Sequence, residues 1–142
     1  MIYNLLFPSK PVSNATSFLI LTVRIIFGVL FLLHGWQKLS MFDTLVTAFP
    51  DPLGVGSRIS LMLAIFAELF CSIGVILGFL YRLALIPMIF TMCIAFFIIH
   101  GTDTLSTKEL ALVYLVIFVI MFIAGPGKYA IDRLFFIRSR KY

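Results

Sequence analysis

Glu68 is the residue best placed for chemistry, because its surroundings are so unfavourable to it. It lies near the middle of RISLMLAIFAELFCSIGVILGFLY, residues 58–81, an otherwise apolar run apart from the leading arginine. About 20 apolar residues cross the hydrocarbon core as a helix. A carboxylate halfway along costs about 2.5–3.5 kcal/mol on insertion scales. Glu68 must therefore face protein, keep a proton, or have a partner. Candidate partners are His34, Lys38, His100, Glu109 and Arg24. His34 and Lys38 are four residues apart and so adjoin on one helix surface. Helical side chains lean toward their own N-terminus. Glu68 then leans toward the set His34, Lys38, His100 and Glu109, whereas Arg24 leans away. Both pairings stay open, as does a role for all of these residues as interhelical fasteners.

Other chemistries lack their patterns. His34, His100 and a carboxylate have no HxxxH or ExxH spacing, so no metal site is expected. Cys71 and Cys93 sit in apolar runs without a CxxC pair or a basic neighbour in sequence. No glycine loop for phosphate, no Ser/His/Asp spacing and no haem, flavin or iron–sulfur pattern appears. The net charge of +5 sits on no solvated basic face, which argues against nucleic acid.

The elements that hold these residues are those of an all-α membrane protein. Of the 142 residues, 62% are hydrophobic and 12% charged, where soluble domains carry about 25% charged residues. The pattern predicts one domain, an antiparallel bundle of four transmembrane helices over about 18–39, 58–81, 83–100 and 109–124. In the first, Arg24, Gly28, Phe31, Gly35 and Lys38 share a face at 100° per residue, and Trp36 suits the interfacial belt. Thr16 or Ser17 is expected to cap it, and Ser106 or Thr107 the fourth. Leu45–Phe49 is expected as a short surface helix, and Tyr81-Arg82 as the whole second connection. The tail 128–142 reads as a basic interfacial helix. Lys10, Arg82, Lys128, Arg133, Arg138, Arg140 and Lys141 fall on one side, against Lys38, Arg58 and Lys108 on the other. The lysine and arginine bias places the first set, and both termini, in the cytoplasm.

Four stretches resemble the DoxX family of small bacterial membrane proteins. They are Arg24-x-x-x-Gly28 leading to His34-Gly35-Trp36-Gln37-Lys38; Glu68 followed by Gly78-Phe79-Leu80-Tyr81-Arg82; Ala95–His100; and Gly125-Pro126-Gly127-Lys128-Tyr129-Ala130-Ile131-Asp132-Arg133. The resemblance implies a four-helix bacterial inner-membrane protein. It also implies a link to a quinone-reducing thiosulfate oxidoreductase or to thiol and oxidative-stress systems. On that basis the expected function is a subunit of a redox system that handles a quinone. Glu68, His34 and His100 would form a proton relay, and Arg24, Lys38, Trp36 and Glu109 would bind substrate. Phe31, Trp36 and Phe97 would flank the ring. Electrons would come from a soluble redox partner at the cytoplasmic face, and a homo-oligomer is compatible with the chain. The alternatives are a carrier or binding protein for a small lipophilic or acidic molecule, and a membrane anchor for a soluble oxidoreductase.

Overall fold

The computed structural model describes residues 13–133. Of the expected interfacial helix 128–142, residues 128–130 are not helical and only 131–133 are, while the rest of it and the segment before residue 13 lie outside the described residues. Helix α1 is Asn14–Ser40, α2 the single turn Phe42–Leu45, α3 Ser57–Leu77, α4 Tyr81–Ile99 and α5 Leu105–Ala124. The described residues contain no strand. Helices α1, α3, α4 and α5 have 27, 21, 19 and 20 residues with hydropathy of 2.2–2.3, enough in length and composition to cross a bilayer. Many of their large apolar side chains face outward, among them Phe18, Ile26, Leu33, Phe70 and Ile123, as a lipid-bathed bundle requires.

The inward faces follow helical spacing. Helix α1 buries Ser17, Ile20, Arg24, Gly28, Phe31 and Gly35, a stripe recurring every three or four residues. Phe31 stacks into the core against Phe118 and Tyr114 of α5, with ring centroids 4.9 and 5.1 Å apart. Val75, Tyr81, Leu85 and Met88 complete that core. A second cluster forms where the chain after α1 folds back. Phe42, Leu45, Val46 and Phe49 pack on Leu61, Ile65 and Leu69 of α3.

Several boundaries differ from expectation for local reasons. Helix α3 stops at Leu77 because Gly78 adopts the left-handed conformation, φ +69°, which glycine tolerates best. The connection is therefore residues 78–80, and Tyr81 opens α4. Ser13, not Thr16 or Ser17, caps α1 by accepting the Thr16 N–H at 3.1 Å. Helix α5 starts at Leu105 after Thr104, which moves Glu109 from the first turn to the second. The surface turn is Phe42–Leu45 instead of Leu45–Phe49.

The two ends of the bundle are built differently. At the end carrying residue 13 and residues 125–133, Arg24 is 1% exposed. It donates to four carbonyls: Nε to Val75 O at 3.0 Å, Nη2 to Ile76 O at 2.7 Å, and Nη1 to Pro126 O at 2.8 Å and Tyr129 O at 3.2 Å. Val75 and Ile76 lie in the last turn of α3, where carbonyls lack helical donors and the helix dipole favours a cation. The Asp132 carboxylate accepts the Leu80 and Tyr81 N–H groups at 2.8 and 2.9 Å, so it caps α4 from a distant segment. Tyr81 Oη donates to Met121 O and Arg82 Nη2 to Ile123 O, each at 3.2 Å, which covers the last carbonyls of α5. We call this arrangement the clasp.

At the opposite end lie the loops 41–56 and 100–104. Asp51 orders the longer loop. It accepts N–H bonds from Val55 at 3.0 Å and Gly56 at 2.7 Å, and the Ser60 hydroxyl at 2.7 Å. The Ser60 bond, then the Gly56 bond, holds its carboxyl below the usual carboxylate range. Its charge also lies at the N-terminus of α3, where an anion is favoured.

Candidate ligand cavity

Helix α3 carries Glu68 in a π-helical turn, Phe66–Phe70, in which the Cys71 N–H reaches back five residues to Phe66 O. Such a turn inserts one residue, leaves a carbonyl without its usual donor, and often marks a functional position. The Ser72 hydroxyl takes up the Glu68 carbonyl at 2.6 Å. Opposite this turn stands Gly35 of α1. A Cβ there would come within 2.7 Å of Leu69 N and 2.8 Å of the Glu68 carbonyl carbon. Only glycine lets the two backbones approach this closely, and the approach brings Glu68 beside the next residues of α1.

Lys38 is there to meet it. Its Nζ donates to Glu68 Oε2 at 2.6 Å. The glutamate side chain is 5% exposed and that of the lysine 26%, so the carboxylate is buried and the ammonium keeps contact with the surface. Glu68 Oε1 has no hydrogen-bond partner among the described residues, yet it is not sealed off. It opens into a cavity of about 660 Å³ bounded by α1, α3, α4 and α5 and roofed by residues 49–53. Ligand sites of about 300–1,000 Å³ are typical for small molecules.

The cavity is apolar over most of its wall, with Phe31, Ala64, Ala67, Met92, Ala95 and Leu110. The polar groups are few and concentrated. Besides Glu68 and Lys38 they include His34, Tyr114 and His100. The His34 ring meets the Tyr114 ring edge-on, centroids 5.8 Å apart at 86°. Tyr114 is 4% exposed, and its hydroxyl likewise has no partner among the described residues. His100 stands at the rim, its Nδ1 2.7 Å from Asp103 Oδ2. That contact directs the Nδ1 proton to the carboxylate in the neutral ring and leaves Nε2 as acceptor.

Of the residues singled out in the sequence, the structure brings Glu68, Lys38, His34 and His100 to this cavity, with Phe31. It does not bring Arg24, Trp36 or Glu109. Arg24 is held by backbone carbonyls in the clasp, so Glu68 pairs with Lys38 and not with Arg24. Trp36 is 59% exposed, outside the buried stripe of α1, as an interfacial belt residue would be. Glu109 is exposed, in the second turn of α5. Phe97 is 66% exposed and does not line the wall. Sequence reasoning missed Tyr114, and its signal was a single phenol in the apolar run LALVYLVIFVI. Among the described residues no three of His, Cys, Asp and Glu converge as metal ligands, and both cysteines are free thiols.

Four bilayer-length helices around a buried ion pair and a mostly apolar chamber define a small multi-pass membrane protein. Residues 19–101 match the DoxX family, more than half of the chain, and the protein belongs to that family. The match spans Arg24, His34–Lys38, Glu68 and His100. The chain is also similar to an uncharacterized protein of Haemophilus influenzae (strain ATCC 51907 / DSM 11121 / KW20 / Rd). The two are 32% identical over 125 residues, covering 80% of this chain and 88% of that protein. No solved structure matches the chain significantly.

Proposed function

We propose that this protein is a bacterial inner-membrane subunit that binds a quinone for a redox system, with both termini in the cytoplasm. The carrying observation is the Glu68–Lys38 pair, with a free carboxylate oxygen, set in the wall of a 660 Å³ apolar chamber. A quinone has a flat apolar ring and carbonyl oxygens that need donors. The donor set fits: Lys38 Nζ has protons beyond the one given to Glu68, and Tyr114 Oη and His34 stand beside it. Phe31 lies against the same space. A bound quinone supplies two-electron, two-proton chemistry, with electrons delivered by a soluble partner. The chain's own part is to orient a carbonyl, exclude water, and hold or release a proton at Glu68 Oε1. His100, fixed by Asp103 at the rim, exchanges protons with the aqueous phase.

Orientation rests on the lysine and arginine bias of the whole chain, including its basic tail. It puts the cavity in the outer half of the membrane. The clasp at the other end favours a binding protein over a carrier with a path through the bundle. Native mass spectrometry of protein purified from its own membranes tests the reading. The expected result is a retained molecule of quinone mass that is lost in Glu68→Ala, and a wild-type protein that flies empty contradicts it.

A further inference from the structure

The cavity does not end at its own wall. A second hollow of about 320 Å³ lies along the outer face of the α3–α4 hairpin. Phe66 and Pro87 line both spaces, so the two adjoin across these side chains. The helices part for a reason visible in their packing. The half of α3 next to Gly78's turn, Cys71–Leu77, packs on both α1 and α4, whereas the half near the long loop, Ser57–Ile65, packs chiefly on α1. Between them a gap opens toward lipid. Leu63, Phe66 and Phe90, 49%, 51% and 53% exposed, line the cavity and the outer surface at once. Below the gap the groove is floored by small residues. A Cβ on Gly74 would stand 3.3 Å from the Ala84 Cβ, and Phe70 and Leu83 form its walls.

We infer that the α3–α4 gap is the entrance to the cavity, and that the groove below it holds the hydrocarbon chain of a single-chain amphiphile whose head lies at Glu68. The inference rests on the quinone reading for the head and adds the tail and the route. The roof offers a poorer route. It is tied to the start of α3 by Asp51, which accepts two backbone N–H groups and the Ser60 hydroxyl, and passage there would draw the chain through water. The gap needs no such exposure, because every surface a chain would touch there is apolar. Lipid tails are as apolar as the groove, so transfer of the chain from bilayer to groove is close to neutral. The groove therefore sets where the chain lies more than how tightly the ligand binds.

A decylbenzoquinone with a diazirine at the chain terminus, photolysed with the protein in phosphatidylcholine nanodiscs, tests this, with duroquinone as a tailless competitor. Tethering by the head raises the local concentration of the chain, so labelling at Phe70 and Leu83 should exceed that at Val116 and Ile120 of α5 by about tenfold. Excess duroquinone should abolish the difference. If duroquinone binds saturably but labelling is even over α3, α4 and α5, bulk lipid covers the groove and the inference falls while the quinone reading stands. Cross-linked dimers that exclude the label put a second copy on this face and overturn it equally. Absence of any duroquinone binding overturns both.

Discussion

The two ends of this bundle carry the same kinds of residue in opposite states. At the clasp, Arg24, Tyr81, Arg82 and Asp132 are bound to backbone groups of other segments. At the cavity, Glu68 and Lys38 hold each other, while Glu68 Oε1 and the Tyr114 hydroxyl face open space. Arg24, whose donors end on carbonyls, is part of the scaffold, because it leaves a ligand nothing to bind, although Arg82 Nε at the same end is buried without a partner among the described residues. A buried charge with unused valence beside a void is a site. The comparison turns a list of intramembrane polar residues into one fastener and one chamber.

The largest effect should come from breaking the fastener. Arg24→Leu removes a buried charge and its bonds to four carbonyls, of which Val75 O keeps the Gly78 N–H, and the loss should be about 3–5 kcal/mol, as when one side of a buried charged network is removed. Thermal unfolding in detergent should show a large fall in midpoint. Arg24→Lys should recover only part of it, since an ammonium lacks the planar fork that reaches both helix end and loop.

Next is the contact that joins the two halves of the site. Gly35→Ala puts a methyl against the Glu68 and Leu69 backbone, and overpacking of this kind costs about 1–3 kcal/mol. Quinone retention should fall with the melting point, because the helix shift moves Glu68 from Lys38. Within the chamber, Lys38→Met strands the Glu68 carboxylate and should cost about 2 kcal/mol, typical for a charge-assisted bond. Adding Glu68→Gln to Lys38→Met should restore most of that stability but not ligand binding. A double-mutant cycle of melting points measures the coupling, and independent, additive effects would remove the pair from the account.

The smallest effect belongs to the roof. Asp51 has a carboxyl held below its ordinary value, so its contribution is present above the unfolded carboxyl value, about pH 3.9. That contribution is lost as pH falls through the lower folded value. Hydrogen exchange at Val55 and Gly56 should accelerate only under such acid conditions, while α1 amides stay protected.

Much of this was legible in the sequence. The spacing of Arg24, Gly28, Phe31, Gly35 and Lys38 reported the packed face of α1, because one residue in three or four must meet its neighbours. The lean of helical side chains placed Glu68 with the histidine and lysine set. The clasp was not legible. Carbonyls of Val75, Pro126 and Tyr129 leave no trace in residue type, and they lie 51 to 105 residues from Arg24. The π-helical turn at Glu68 was hidden for the same reason. Depth in the membrane can be counted along a helix, but the facing of Trp36 and Glu109 is set by how their helices pack, which residue type does not report.

The central claim is that Glu68 anchors a lipophilic head in the chamber. The most direct measurement is the binding isotherm of the reduced form, durohydroquinone, whose hydroxyl can donate to Glu68 Oε1, to nanodisc-embedded protein, wild type against Glu68→Gln, with melting points in parallel. The account predicts saturable wild-type binding that weakens about tenfold or more in the variant, the loss of one charge-assisted bond, while the fold persists. Equal affinity in the two folded proteins would contradict it.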